Sequence, residues 1–294
     1  MKKVFKSLLS RLALIVVIGI CISAYKVYQR GITAQNTAQL IKADRTQSNF
    51  WKTERMKLYD SVEFNNSVVT AVGERDEDSR AISKEIIEVL LAELKDERGV
   101  HVETALTALG AVTGFSAQMG IREGLVKSGK ISEQNAFVVV TTKDGGTYYF
   151  GDLLNQNITE PKNGNDSVFG IVSARAQKLG AKNITDIKAI FRRSADVLGS
   201  DKFAVPDVSA EHLPHMTAQF LLWKYWNPIR QILVLHSKDP LKWPLYLAQT
   251  SADMMEMGKD ALDPAISSQL IMDAVIPMSK IDPRTVHMAY FKQY

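Results

Sequence analysis

Glu211-His212-Leu213-Pro214-His215 is a metal-like spelling in this chain. Two histidines three apart could share one face of a helix, and Asp207 stands a few residues upstream. A zinc site needs three or four His, Cys or carboxylate ligands. His212 and His215 are therefore candidate metal ligands, with the metal and the remaining ligands unassigned. The paired form His-Glu-x-x-His is absent, and Pro214 separates the two histidines. The same residues also read as a helix start, with Ser209 as cap and Glu211 matching the helix dipole.

Other pairs could do chemistry. In Met257-Gly258-Lys259-Asp260, the lysine and aspartate could form an exposed acid–base or anion-binding pair. The competing reading is a helix end, with Gly258 as cap and Asp263-Pro264 starting the next helix. Asp253 and Glu256 lie one helical turn apart and read as a solvated face. Met254, Met255, Met257, Met272 and Met278 read as core filling rather than as an adaptable binding surface. Phosphate-loop, dinucleotide-binding and nucleophile-elbow signatures are missing. The single cysteine, Cys21, lies near the N-terminus. No catalytic residue and no cofactor is assigned.

These residues must be held by helices, and one stretch organises the rest. His101 to Lys127 has no charge between Thr104 and Ile121. Leu109, Val112, Phe115 and Met119 recur at helical spacing. A second stripe, Gly110, Gly114, Ala117, Gly120 and Gly124, contains only small residues. A helix that is apolar on more than one face is normally buried, and small residues let another backbone approach closely. Its Thr, Ser and Gln residues make it a poor membrane span.

Around it the pattern predicts a helix from Ser48 to Val72 and an amphipathic helix from Arg80 to about Glu97, capped by Ser79. A strand follows over Ala136–Thr142, then a tight Lys143-Asp144-Gly145-Gly146 turn and a return strand over Thr147–Phe150. Asn155–Asp166 reads as a polar loop. Helices are expected over Ser167–Leu179 and Thr185–Leu198. From Ser209 the chain reads as short helices, each begun by Asn227-Pro228, Asp239-Pro240, Asp263-Pro264 or Asp282-Pro283. The fold class is α+β, mainly α. One helical domain over 48–294, with its hairpin at 136–150, follows a linker or stalk at 31–47.

Residues 1–30 carry Lys2, Lys3, Lys6, Arg11, Lys26 and Arg30 and no acid. Removing those six from the 36 basic residues leaves 30 against 32 acidic ones, so the +4 net charge belongs to the N-terminus. The body has no basic stripe, which argues against nucleic acid as a partner. Leu12–Ala24 is an uninterrupted, uncharged run. With Arg11 and Lys26 reaching the headgroups, residues 8–28 span the roughly 20 positions a membrane helix needs. Residues 1–30 thus read as a membrane anchor, with a cleaved signal peptide as the competing reading. The charge bias places the body on the non-cytoplasmic side of the inner membrane.

His101–Glu123, the Phe137–Asp152 hairpin, Met257–Pro264 and Ile276–Pro283 together resemble an uncharacterised family of bacterial proteins. The resemblance implies a bacterial source and a body that is one unit, and brings no activity or residue role. The expected function is a membrane-anchored, non-enzymatic interaction or scaffolding protein, bound to another protein or to itself. The alternatives are an enzyme whose site is assembled from distant residues, with His212 and His215 among them, or a small-ligand-binding module.

Overall fold

The computed structural model describes residues 77–97, 99–143, 145–159 and 167–286. The anchor expected at 1–30, the linker expected at 31–47 and the helix expected over 48–72 lie outside the described residues. Among the described residues no helix is long and apolar enough to cross a membrane.

The molecule is mainly helical with two small antiparallel hairpins. Helix α1 spans Glu77–Leu94 and buries Ile82, Ile86 and Leu90, the expected stripe. It starts before Ser79, which is buried inside it rather than capping it. It also stops short of Glu97. Lys95–Asp96 (β1) turns back on Gly99–Val100 (β2), and Gly99 takes a positive φ of 109°. The chain then enters α2, Val102–Ile121, in which every residue from Thr104 to Ile121 is buried.

Hydroxyls survive in this buried helix because they bond back to it. Thr107 donates to the Glu103 carbonyl and Thr113 to that of Leu109. Such bonds satisfy a polar group that would otherwise cost about 1–3 kcal/mol to bury. The small-residue stripe is where other backbones touch. A Cβ at Gly110 would lie 2.5 Å from the Ile271 carbonyl oxygen, and one at Gly114 would lie 2.0 Å from that of Val275. Both partners belong to α8, Pro264–Met278, which runs along α2. Helices α6, Ala218–His236, and α7, Trp243–Met257, cover other sides of α2. Phe115 meets the Trp226 ring edge-on at 4.8 Å.

After Ile121 the helix widens into a single π-helical turn, Arg122–Val126, closed by the Lys127 N–H on the Arg122 carbonyl at 2.8 Å. A helical turn over Glu133–Ala136, capped by Ser132, precedes the second hairpin. Strand β3 is Val138–Thr141 and β4 is Thr147–Phe150, with Val139 opposite Tyr149. Thr142 N–H bonds the Gly146 carbonyl, which leaves three positions between the paired ends, one more than a two-residue turn. Gly145 has the positive φ, 86°, that the third loop position requires. Tyr148 pairs with Ile281 as an isolated bridge beyond β4, and the Tyr149 N–H bonds the Lys280 carbonyl at 2.7 Å.

Three expectations fail here. Asn155–Asp166 is not all loop, since α3 covers Asp152–Thr159 and buries Leu154 and Ile158, an apolar pair one turn apart. Residues 160–166 lie outside the described residues. Asn227-Pro228 starts no helix, because Pro228 sits inside α6. The bulky row Leu221, Leu222, Tyr225, Trp226, Ile229 and Leu233 is buried on both sides of that proline, and this packing outweighs the lost hydrogen bond. Ser209 starts a 3-10 turn, Ala210–His212, instead of a helix. The remaining helices, α4 at Val168–Lys178 and α5 at Ile187–Asp196, lie inside their expected ranges.

Candidate functional site

Polar side chains gather at both ends of α2. At its amino end the 3-10 turn at Ala210–His212 and the loop after it fold over the helix start. His212 Nδ1 lies 3.1 Å from Glu103 Oε1, and His101 Nε2 lies 3.3 Å from Glu103 Oε2. The His101 and His215 rings stack with centroids 3.7 Å apart and planes 14° apart. Thr104 Oγ1 accepts from the His215 backbone N–H at 2.9 Å and lies 2.8 Å from His101 Nδ1.

The structure therefore brings His212 and His215 together with His101 and Glu103, which the sequence reading missed as partners. The signal was present: His101-x-Glu103 stands at the start of the central helix, where an acid complements the dipole. The two histidines do not share a helix face. Stacked rings aim their nitrogens along parallel planes rather than at one point. Among the described residues no group of three or more His, Cys, Asp or Glu side chains is placed to hold a metal ion. Asp207, the expected neighbour, turns instead to Arg193 at 2.8 Å, and its N–H bonds Asp273.

The other sequence candidates are structural. Glu256 pairs with Arg175 of α4 at 2.7 Å and with Lys259 at 3.0 Å. Asp253 takes a bond from Ser83 of α1, so this pair ties three helices together and is more than a solvated face. Gly258 leaves room for Val102, whose Cγ1 would be 2.7 Å from a Cβ there. Met254, Met255, Met272 and Met278 fill the core, and Met257 is exposed.

The carboxyl end of α2 is built differently. Gln118, wholly buried, donates through Nε2 to the carbonyls of Ser279 and Ile281 at 2.9 and 3.1 Å. Its Oε1 accepts from Arg122 Nε at 3.2 Å. That bond aims the Arg122 guanidinium between two rings, 4.6 Å from the Phe137 centroid and 4.4 Å from that of Tyr149. Nη1 donates to Glu133 at 2.6 Å, while Nη2 is buried with no partner. A guanidinium has five donors, and a buried unpaired one is costly.

Two shallow grooves meet at this point and share Glu133 and Val139. One is bounded by Ser132, Gln134 and Phe137. The other runs past Arg122, Thr141, Thr147, Tyr149, Asp282 and Arg284. Arg284 clasps Asp282 with bonds of 2.6–3.0 Å. Partial burial pushes the Asp282 carboxyl up, but its bonds from Arg284 outweigh that and hold it below its ordinary value.

Beneath the hairpin lies Lys280, 3% exposed. Its Nζ donates to Asn155 Oδ1 at 2.9 Å and faces the Phe150 and Phe191 rings. Burial pulls its ammonium down to about 7. Its ammonium reaches Asn155 of α3, so it reads as an internal tie between α3 and the bridge at Ile281.

The chain matches no family model, no curated protein and no solved structure.

Proposed function

We propose that this is a membrane-anchored protein that binds another protein, with no chemistry of its own, through the outer side of the β3–β4 hairpin. The observation that carries this reading is β3 itself. Val138 and Val139 are 41% and 52% exposed on a strand whose neighbour among the described residues is β4 alone. Free strand edges are usually guarded by charge, proline or a covering loop. This one is uncharged and apolar, which suits a surface that is covered in use.

The anchor at residues 1–30 supplies the tether, and its charge bias puts the body outside the cytoplasm. Protease accessibility in spheroplasts tests that side. Digestion of the body from outside, with the N-terminus intact, is the expected result, and protection would reverse the orientation. The binding reading is tested by a photo-crosslinking amino acid in place of Val139 in the full-length membrane protein, with Lys182 as exposed control. An adduct from the Val139 position alone supports the reading. Equal labelling from both positions, or none, overturns it.

A second reading, an enzyme with a site assembled from distant residues, is favoured by the His101–Glu103–His212–His215 cluster. Each of these side chains is engaged by another member, which weighs against it.

A further inference from the structure

We propose that the open edge of β3 and the groove beneath it take an extended, acidic segment of a partner protein, added as a third strand, with its carboxylate held by Arg122. This rests on the binding reading above and names the occupant.

The backbone supplies the first part. The Tyr149 N–H points away from β3, because it bonds the Lys280 carbonyl on the far side of β4. In an antiparallel ladder, residues facing each other alternate between bonded and non-bonded pairs. Val139–Tyr149 is then a non-bonded pair, and so is Thr141–Thr147 two residues on. The Thr142–Gly146 bond fits the same alternation. Val139 and Thr141 therefore turn their N–H and C=O groups outward, to the open edge. An incoming strand would bond to those four groups, as in other strand additions.

The side chains supply the second part. Facing residues share a face of the sheet, so Val139 and Thr141 stand with Tyr149 and Thr147. These four line the groove together with Arg122, Glu133, Asp282, Pro283 and Arg284, and each arginine already faces a carboxylate there. Arg122 is fixed by Gln118 and by the two rings, and it keeps one nitrogen, Nη2, without a partner. A planar guanidinium matches a carboxylate with two parallel bonds. Glu133, half exposed, holds one prong. Nη2 is covered in this structure, so a carboxylate on the bound strand reaches it only by displacing Glu133 and taking over that fork.

A second copy of this chain fits less well. Its own edge strand, Phe137–Thr142, carries no acid to offer Arg122. A lysine-bearing strand would leave Nη2 unpaired and set two cations side by side.

The test uses the full-length protein in detergent and three capped, fluorescent peptides. These are Thr-Val-Glu-Val-Thr-Lys-Thr and the versions with Gln or Lys in place of Glu, read by anisotropy. The Glu peptide should bind at least tenfold tighter than the Lys peptide. Glu133→Gln removes the internal competitor and should tighten the Glu peptide severalfold, which damage to the fold would not do. Val139→Pro deletes an outward N–H and leaves the β3–β4 bonds intact, so it should abolish binding at unchanged helix content. Val139→Lys, a charged edge, should do the same.

Equal affinity for the three peptides overturns the inference, as does binding that survives Val139→Pro. So does a dimer of the unaltered protein that Val139→Pro splits, since the edge would then belong to a second copy. A crosslink from Val139 in cells with no peptide preference leaves the binding reading standing and removes the acidic strand. Acid-selective peptide binding without any cellular adduct keeps the site and removes its use in the anchored protein.

Discussion

The two ends of α2 carry similar side chains and use them in opposite ways. At the amino end, Glu103 is met by two imidazoles and Thr104 by a backbone N–H, and the loop through His215 lies over all of them. At the carboxyl end, Arg122 meets Gln118 and Glu133, but a hairpin stands beside it with one edge open among the described residues. The difference is in what the chain lays over the helix end. A loop can bend until each polar group is satisfied. A strand cannot, because its outward N–H and C=O groups need another strand. A cluster of titratable residues is thus weak evidence for a site when its members answer each other. One unanswered donor beside an open edge is stronger evidence.

Both ends depend on the close contact between α2 and α8, so the largest effect should come from breaking it. Gly114→Ala would put a Cβ 2.0 Å from the Val275 carbonyl oxygen, which neither backbone can yield to cheaply. The expected cost is about 4 kcal/mol or more, a large part of the roughly 5–15 kcal/mol by which folded proteins are stable, read by thermal melting. Gly124→Ala is the contrast. Its Cβ would meet the side chain of Leu241 at 3.1 Å, which can move, and the expected cost is below about 1 kcal/mol. If the two substitutions cost the same, the close approach does not set the position of the two ends.

Next in size is Lys280→Met. It relieves the desolvation of a buried charge but leaves Asn155 Oδ1 without its donor, which costs about 1–3 kcal/mol, so the net gain at pH 6 should stay below the roughly 4 kcal/mol that removal of buried charges can reach. The pH dependence sharpens this. Unfolded, the lysine holds its proton up to about its ordinary 10.5, whereas in the fold burial lowers it to about 7. Between those values the unfolded chain binds more protons, so stability rises with pH across the window. Below about 7 both states are protonated and the full burial penalty is present. Urea melts at pH 6 and pH 9 should show a rise that Lys280→Met removes. A rise that persists in the variant would assign it to another group.

The central helix was legible in the sequence because its signal was local: an uncharged run with small residues at fixed spacing. The hairpin was legible for the same reason, through β-branched residues and an Asp-Gly turn. The sites were not. His212 and His215 drew attention as a pair, but their real partners are His101 and Glu103, more than 100 positions away, and no spacing rule connects them. Arg122 drew none, because an arginine just past a helix looks like any solvated end. Its meaning comes from Gln118, which reads as one polar residue in an apolar run. Pro228 misled through a good local rule, the Asn-Pro helix start, that burial of α6 on both sides overrode.

The smallest expected effect separates the two ends most directly. Glu103→Gln keeps shape and volume but weakens both imidazole contacts. These pairs are partly exposed, so the loss should be about 1 kcal/mol. Arg122→Lys keeps a charge but loses the planar fork, and by the same scale should cost about as much in stability. Peptide binding tells them apart. The Arg122 substitution should erase the preference for the Glu peptide over the Gln peptide, and the Glu103 substitution should leave it unchanged, since its cluster lies at the far end of a 20-residue helix. A Glu103 variant that alters peptide affinity would show the two ends to be coupled through α2, and the closed end could no longer be treated as a purely internal fastening.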